Sequence, residues 1–222
     1  MGKHWARQQV KRNELVDVVD QALVWVNSHR QATGLSAAAM VLITLAGGSL
    51  LYHRHSLQAA AWEQLSMAQG LAFRGDPDKA LEQIKKIVSD DSRANASGFG
   101  LLFAGDMLYP RAQYKESMEY YSKLLERGKP VALMPLALGG LGMAQEASEG
   151  FEQAASTNKR FLETYPDHFL APQVHSSLAR CLEALGKAAQ AKAAYQKIAL
   201  QYPETPWALG AKNHYLQFNN TK

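Results

Sequence analysis

Hydrophobic and polar positions along the chain follow two different patterns. From Ala32 to Tyr52 the sequence reads ATGLSAAAMVLITLAGGSLLY, twenty-one residues without a charge. At ~1.5 Å per residue, a helix of that length covers the roughly 30 Å hydrocarbon core of a bilayer. A transmembrane helix is therefore expected over 32–52. Beyond it, over residues 58–218, the apolar positions come in shorter runs that repeat at a fixed offset.

That offset is 37 residues. The run KRFLETYPDH at 159–168 returns as QKIALQYPET at 196–205. Small residues stand at Ala80, Ser117, Ala154 and Ala191, each 37 after the last, and twelve residues before each stand Ala68, Gly105, Gly142 and Ala179. Seven residues after each lie Ile87, Leu124, Phe161 and Ile198. Small residues where two helices cross closely, with large apolar ones where each pair packs on its neighbour, predict a helix-turn-helix hairpin repeated four times. The aromatic-Pro steps Tyr165-Pro166 and Tyr202-Pro203 fit the ends of second helices, where Pro cannot continue the turn. The segment TPWALGAKNHYLQF fits a closing helix that shields the last hairpin.

Ahead of the apolar span, residues 1–31 form an amphipathic lead-in. Leu15, Val19, Ala22 and Val26 share a stripe with Trp25 beside it, opposite Glu14, Asp17 and Gln21. Such a helix can lie on a membrane face or dock on a partner. Lys3, Arg7, Lys11, Arg12 and Arg30 precede the span, whereas Arg54 is the only Lys or Arg in the twenty residues after it. The positive-inside bias puts the N-terminus in the cytoplasm and residues 53–222 across the membrane.

Composition narrows the chemistry. The 222 residues are 47% hydrophobic and 20% charged, enough to bury a core. The net charge of +4 is not gathered into a basic stripe, so no nucleic-acid partner is expected. One cysteine, Cys181, can form neither an intrachain disulfide nor a thiolate pair for metal. None of the seven histidines makes the helical pair with a neighbouring Glu that a zinc site needs, and HRH at 53–55 reads as headgroup contact. GGLG at 139–142 falls inside a helix rather than a strand-turn-helix, so it reads as packing and not as a phosphate loop. No metal, cofactor, catalytic residue or small-molecule substrate is expected, and an enzyme is disfavoured for want of a convergent polar cluster.

The repeated hairpin resembles the tetratricopeptide repeat, with units starting near Ala61, Gly98, Pro135 and Pro172 and small residues at the eighth and twentieth positions of each. The resemblance implies an all-α chain: a single transmembrane helix, then an α-solenoid of about four repeats with a capping helix. It also implies a concave groove lined by the first helices. Carried onto this sequence, the groove takes Trp62, Leu65, Gln69 and Phe73 from unit one, and Phe99, Leu102, Asp106 and Tyr109 from unit two. Units three and four give Met143 and Glu146, then Ser176, Arg180 and Glu183.

The order of lead-in, span and repeats is similar to the ancillary subunit family of the bacterial SecYEG translocon. That resemblance implies a non-enzymatic, single-pass inner-membrane adaptor with its repeats in the periplasm. Its implied partners are secretion-channel subunits, periplasmic chaperones or client polypeptides. The alternative is an envelope scaffold that coordinates cell-wall synthesis or outer-membrane assembly.

Overall fold

The computed structural model describes residues 4–90 and 95–220, with side chains for 16–89 and 95–216. Lys3 of the positive flank and the Leu15 side chain lie outside the described residues. No strand occurs among those described, and the chain divides into two compact units, Met1–Ser56 and Leu57–Lys222.

The first unit holds α1 (His4–Ser28) and the part of α2 (Arg30–Phe73) that ends at Ser56. His29 joins the two helices, its N–H bonded to the Trp25 carbonyl at 3.0 Å and its own carbonyl accepting from the Thr33 N–H at 2.9 Å. Over residues 16–56 every side chain is exposed except that of Thr33, which is half-buried. Leu35, Met40, Leu42, Ile43 and Leu45 are among the uncovered ones. Among the described residues, α2 is the one helix long and apolar enough to cross a membrane, and none of its most apolar stretch is buried within the chain.

The second unit takes up α2 from Leu57 and continues through a run of helices of nearly uniform length. The later ones are α3 (Pro77–Asp90), α4 (Asn95–Leu108), α5 (Tyr114–Arg127), α6 (Met134–Ala147), α7 (Phe151–Thr164), α8 (Ala171–Ala184), α9 (Ala188–Gln201) and α10 (Pro206–Asn220). Short 3-10 turns at Tyr109–Arg111 and Val131–Leu133 precede α5 and α6. The second helices α3, α5, α7 and α9 start at 77, 114, 151 and 188, the expected 37-residue period, and each is 14 residues long. From α3 onward each helix packs on the next, and α4, α6, α8 and α10 also touch in succession, which makes them the inner layer of a solenoid.

Packing follows the small and large positions read from the sequence. Ala80, Ala154 and Ala191 are fully buried, as are Ala68 and Ala179 opposite them, and Ile87, Leu124, Phe161 and Ile198 fill the spaces between helices. Ser117 takes the small position in unit two and spends its hydroxyl on the Gly105 carbonyl at 2.9 Å, so the polar substitution is satisfied inside the core. α7 and α9 stop at Thr164 and Gln201, immediately before the two Tyr-Pro steps. The GGLG segment lies within α6, as expected of a packing feature.

Two features of this packing were not evident in the sequence. The turn inside each hairpin places one residue in the left-handed region: Gly75 (φ 88°), Ala112 (φ 57°), Glu149 (φ 64°) and Gly186 (φ 69°), again 37 apart. In each turn that residue's N–H bonds three residues back and the next N–H bonds five back, as for Glu149 to Glu146 (3.0 Å) and Gly150 to Gln145 (2.8 Å). The second feature is a tyrosine passed between inner helices. Its ring edge stands where a Cβ on Gly105 would come within 2.6 Å and one on Gly140 within 2.5 Å, so α4 and α6 clasp Tyr121 only because both positions lack a side chain.

Both features predict mutational outcomes. A left-handed L-residue costs ~1–2 kcal/mol, while the extra unfolded-state freedom of glycine costs ~0.5–1 kcal/mol. Glu149→Gly should therefore raise stability by about 0.5–1 kcal/mol in urea unfolding followed by helical circular dichroism, and a loss would show that the Glu149 turn carries no strain. Gly140→Ala should lower stability by about 1–2 kcal/mol, because overpacking against the Tyr121 ring outweighs the ~1 kcal/mol helix-propensity gain of alanine. In a Tyr121→Leu background the same change should become neutral or stabilising, and a double-mutant cycle without that coupling would refute the clasp.

Candidate functional site

The inner layer of the second unit carries a cleft of about 240 Å³ centred on α6. Leu102, Tyr109, Leu136, Met143, Leu170 and Val174 supply its apolar walls. Gly139 and Gly140 form the floor, and Asp106, Tyr121, Asn158, Gln173 and Ser177 contribute polar groups. Neither glycine leaves its Cβ direction empty: the Tyr121 ring fills it at Gly140, and at Gly139 a Cβ would sit 3.4 Å from Leu170 Cδ1.

Polar groups reach this face from the outer layer by a repeated device. Four residues after each small anchor of a second helix stand Ile84, Tyr121, Asn158 and Tyr195, again 37 apart. Ile84 is fully buried and stays in the core. The Tyr121 hydroxyl donates to Asp106 Oδ1 at 2.7 Å, Asn158 Nδ2 donates to Ser177 Oγ at 2.8 Å, and the Tyr195 hydroxyl donates to Glu183 Oε2 at 2.7 Å. Asn158 is only 1% exposed, and its Oδ1, which lies against Gly142, has no hydrogen-bond partner among the described residues.

The Asn158–Ser177 bond continues into an ion pair. Ser177 Oγ donates to Glu146 Oε2, and Arg180 grips the same carboxylate with Nε to Oε1 at 2.6 Å and Nη2 to Oε2 at 2.9 Å. This bidentate geometry ties α6 to α8, and it leaves the charge of Glu146 fully answered. Glu183 is held by Tyr195 and lies 3.3 Å from His214 Nδ1. Asp106 differs, since no ion pair reaches it among the described residues. Desolvation by the cleft wall pushes its carboxyl above the ordinary value, while the Tyr121 hydrogen bond pulls it back.

Nothing in this arrangement resembles a reaction centre. Cys181 is fully buried, and burial pushes its thiol up to about 11, so it is not a nucleophile at neutral pH. Among the described residues no group of three or more His, Cys, Asp or Glu is placed to hold a metal ion.

The structure divides the groove residues expected from the sequence. Asp106, Tyr109 and Met143 line the cleft, and Leu102 lies with them. Glu146 and Arg180 form the ion pair described above, next to the cleft through Ser177. Ser176 and Arg180 also line a smaller recess of about 160 Å³ with Trp207 and His214, beside the Tyr195 partner of Glu183. Trp62 and Phe99 meet at 5.2 Å between ring centroids and stay partly exposed. Gln69 is half-buried and Phe73 is 87% exposed, and neither lines the cleft. Leu65 corrects the expectation: at 2% exposure it packs with Ile87 and Ala96 in the core instead of facing the groove.

Sequence reading passed over Leu136, Leu170, Gln173 and Val174, as well as the two residues threaded from second helices, Tyr121 and Asn158. The signal that finds the last two is the 37-residue recurrence of a large or polar side chain one turn after each small anchor.

Comparison with known proteins agrees with this architecture. Residues 177–205 match the tetratricopeptide repeat family. A tetratricopeptide repeat protein from Parabacteroides merdae superimposes with a TM-score of 0.61 at 15% identity, over 73% of this chain and 61% of that one. MamA from Desulfovibrio magneticus gives 0.55 at 17% identity, over 72% and 93%. YrrB, described as a TPR protein with an unusual peptide-binding site, gives 0.53 at 18% identity, over 71% and 86%. No curated protein matches the sequence. The helices that follow the apolar span thus have the tetratricopeptide-repeat fold, a solenoid typical of non-enzymatic protein-interaction scaffolds.

Proposed function

We propose that this chain is a membrane-anchored, non-enzymatic adaptor whose repeats hold a polypeptide along the inner helix layer, as an accessory to the bacterial secretion channel. The observation that carries the binding part is the preformed apolar cleft on α6, walled by Leu102, Tyr109 and Met143 and flanked by fixed polar groups. A pocket already shaped by rigid helices spares a ligand much of the ordering cost of association. YrrB, which shares the fold, is itself described as binding peptide.

The anchor rests on α2. Its apolar first half covers nothing within the chain, and an uncovered apolar helix of that length is what a bilayer accommodates. With the positive charges ahead of it, residues 32–52 span the inner membrane, the N-terminus is cytoplasmic and residues 53–222 face the periplasm. The order of lead-in, span and repeats favours secretion-channel subunits, their periplasmic chaperones or passing clients as the bound proteins.

Photo-crosslinking in native membranes tests both parts. A photo-reactive residue at position 109, on the cleft wall, should give adducts with channel subunits, chaperones or clients, whereas one at the exposed Glu163 of α7 should give few. Equal yields at 109 and 163 would refute the groove. Adducts only with cell-wall or outer-membrane assembly proteins would replace the translocon reading with that of an envelope scaffold.

A further inference from the structure

The three carboxylates of the inner face are not equivalent. Glu146 is neutralised by the bidentate Arg180, and Glu183 has both a phenol and an imidazole beside it. Asp106 receives one neutral hydrogen bond, on Oδ1 from Tyr121, and no cation approaches it among the described residues. It stands at the rim of the apolar cleft with its side chain exposed to solvent. An exposed carboxylate with one oxygen free is open to a cation that a ligand brings beside the cleft.

Resting on the reading of the cleft as a polypeptide site, we propose that it takes one large apolar side chain of the bound segment and that Asp106 selects a Lys or Arg next to that side chain. The apolar part follows from the walls: Leu102, Leu136, Met143, Leu170 and Val174 present carbon to the space, with Gly139 and Gly140 at its floor. The basic part follows from charge complementarity at the rim. A ligand cation reaching Asp106 Oδ2 answers the unmatched carboxylate without disturbing Tyr121 on Oδ1. An acidic neighbour at the same place meets repulsion.

A displayed library tests the pairing on the full-length chain purified in mild detergent. Its short peptides are Gly and Ser except for two neighbouring randomised positions. Selection should enrich a large apolar residue beside Lys or Arg, with the basic residue favoured about two- to fivefold over Glu or Asp, the range for an exposed rim pair. Asp106→Asn keeps an acceptor for the Tyr121 hydroxyl, so the variant should retain the apolar preference and lose the basic one. Apolar enrichment without basic bias, or a basic bias that survives Asp106→Asn, would overturn the charge selection while leaving the polypeptide site standing. No enrichment above bare resin would overturn both.

Discussion

Everything in the second unit depends on how closely its helices approach one another. Ala68, Gly105, Gly142 and Ala179 on first helices face Ala80, Ser117, Ala154 and Ala191 on second helices, and those of the eight that are alanine have their side chains removed from water. A larger side chain at either end of such a pair would separate the helices and break register with the next hairpin. Because each hairpin cannot bury its apolar face alone, an error at one crossing passes to its neighbours. The groove inherits its rigidity from these contacts.

That constraint is also why so much of the fold was legible. Small residues at close crossings admit few alternatives, so the 37-residue period, the ends of α7 and α9 at Tyr-Pro and the closing helix could be read from residue type alone. The turns inside the hairpins were hidden for the opposite reason. Gly75 and Gly186 mark two of them, but Ala112 and Glu149 occupy the same backbone conformation without advertising it, since the surrounding hydrogen bonds over-determine the turn. Leu65 was misplaced because an apolar residue in a first helix can serve either the groove or the packing beneath it. Its neighbours Ile87 and Ala96, brought close only by the fold, decide for packing.

The candidate site was half legible. Residues such as Asp106, Tyr109 and Met143 sit on first helices, where a repeat pattern already points inward. Tyr121 and Asn158 belong to second helices, and their contribution depends on gaps between inner helices that exist only where glycine stands across from them. The sequence shows the glycines and the long side chains separately. What joins them is a three-dimensional crossing more than one hairpin wide.

The position of the cleft follows from one substitution in the repeat. Leu65, Leu102, Gly139 and Ser176 are equivalent, each 37 residues from the last, as are Ser66, Phe103, Gly140 and Ser177. Unit two fills both positions with large side chains, whereas unit three fills neither. Asn158 compounds the difference, being shorter than the tyrosine at 121 or 195, so its side chain stops at Ser177 instead of projecting a ring across the layer. Unit four closes again through Tyr195 and the Glu146–Arg180 pair. A nearly regular solenoid thus acquires its α6 cleft where the repeat is least regular. Gly140 is called for by packing, since the Tyr121 ring fills the place of its side chain, but a Cβ on Gly139 would make only ordinary contacts and alanine there would gain ~1 kcal/mol of helix propensity. Gly139, at the floor of the cleft, is the glycine that the proposed peptide site accounts for and packing does not.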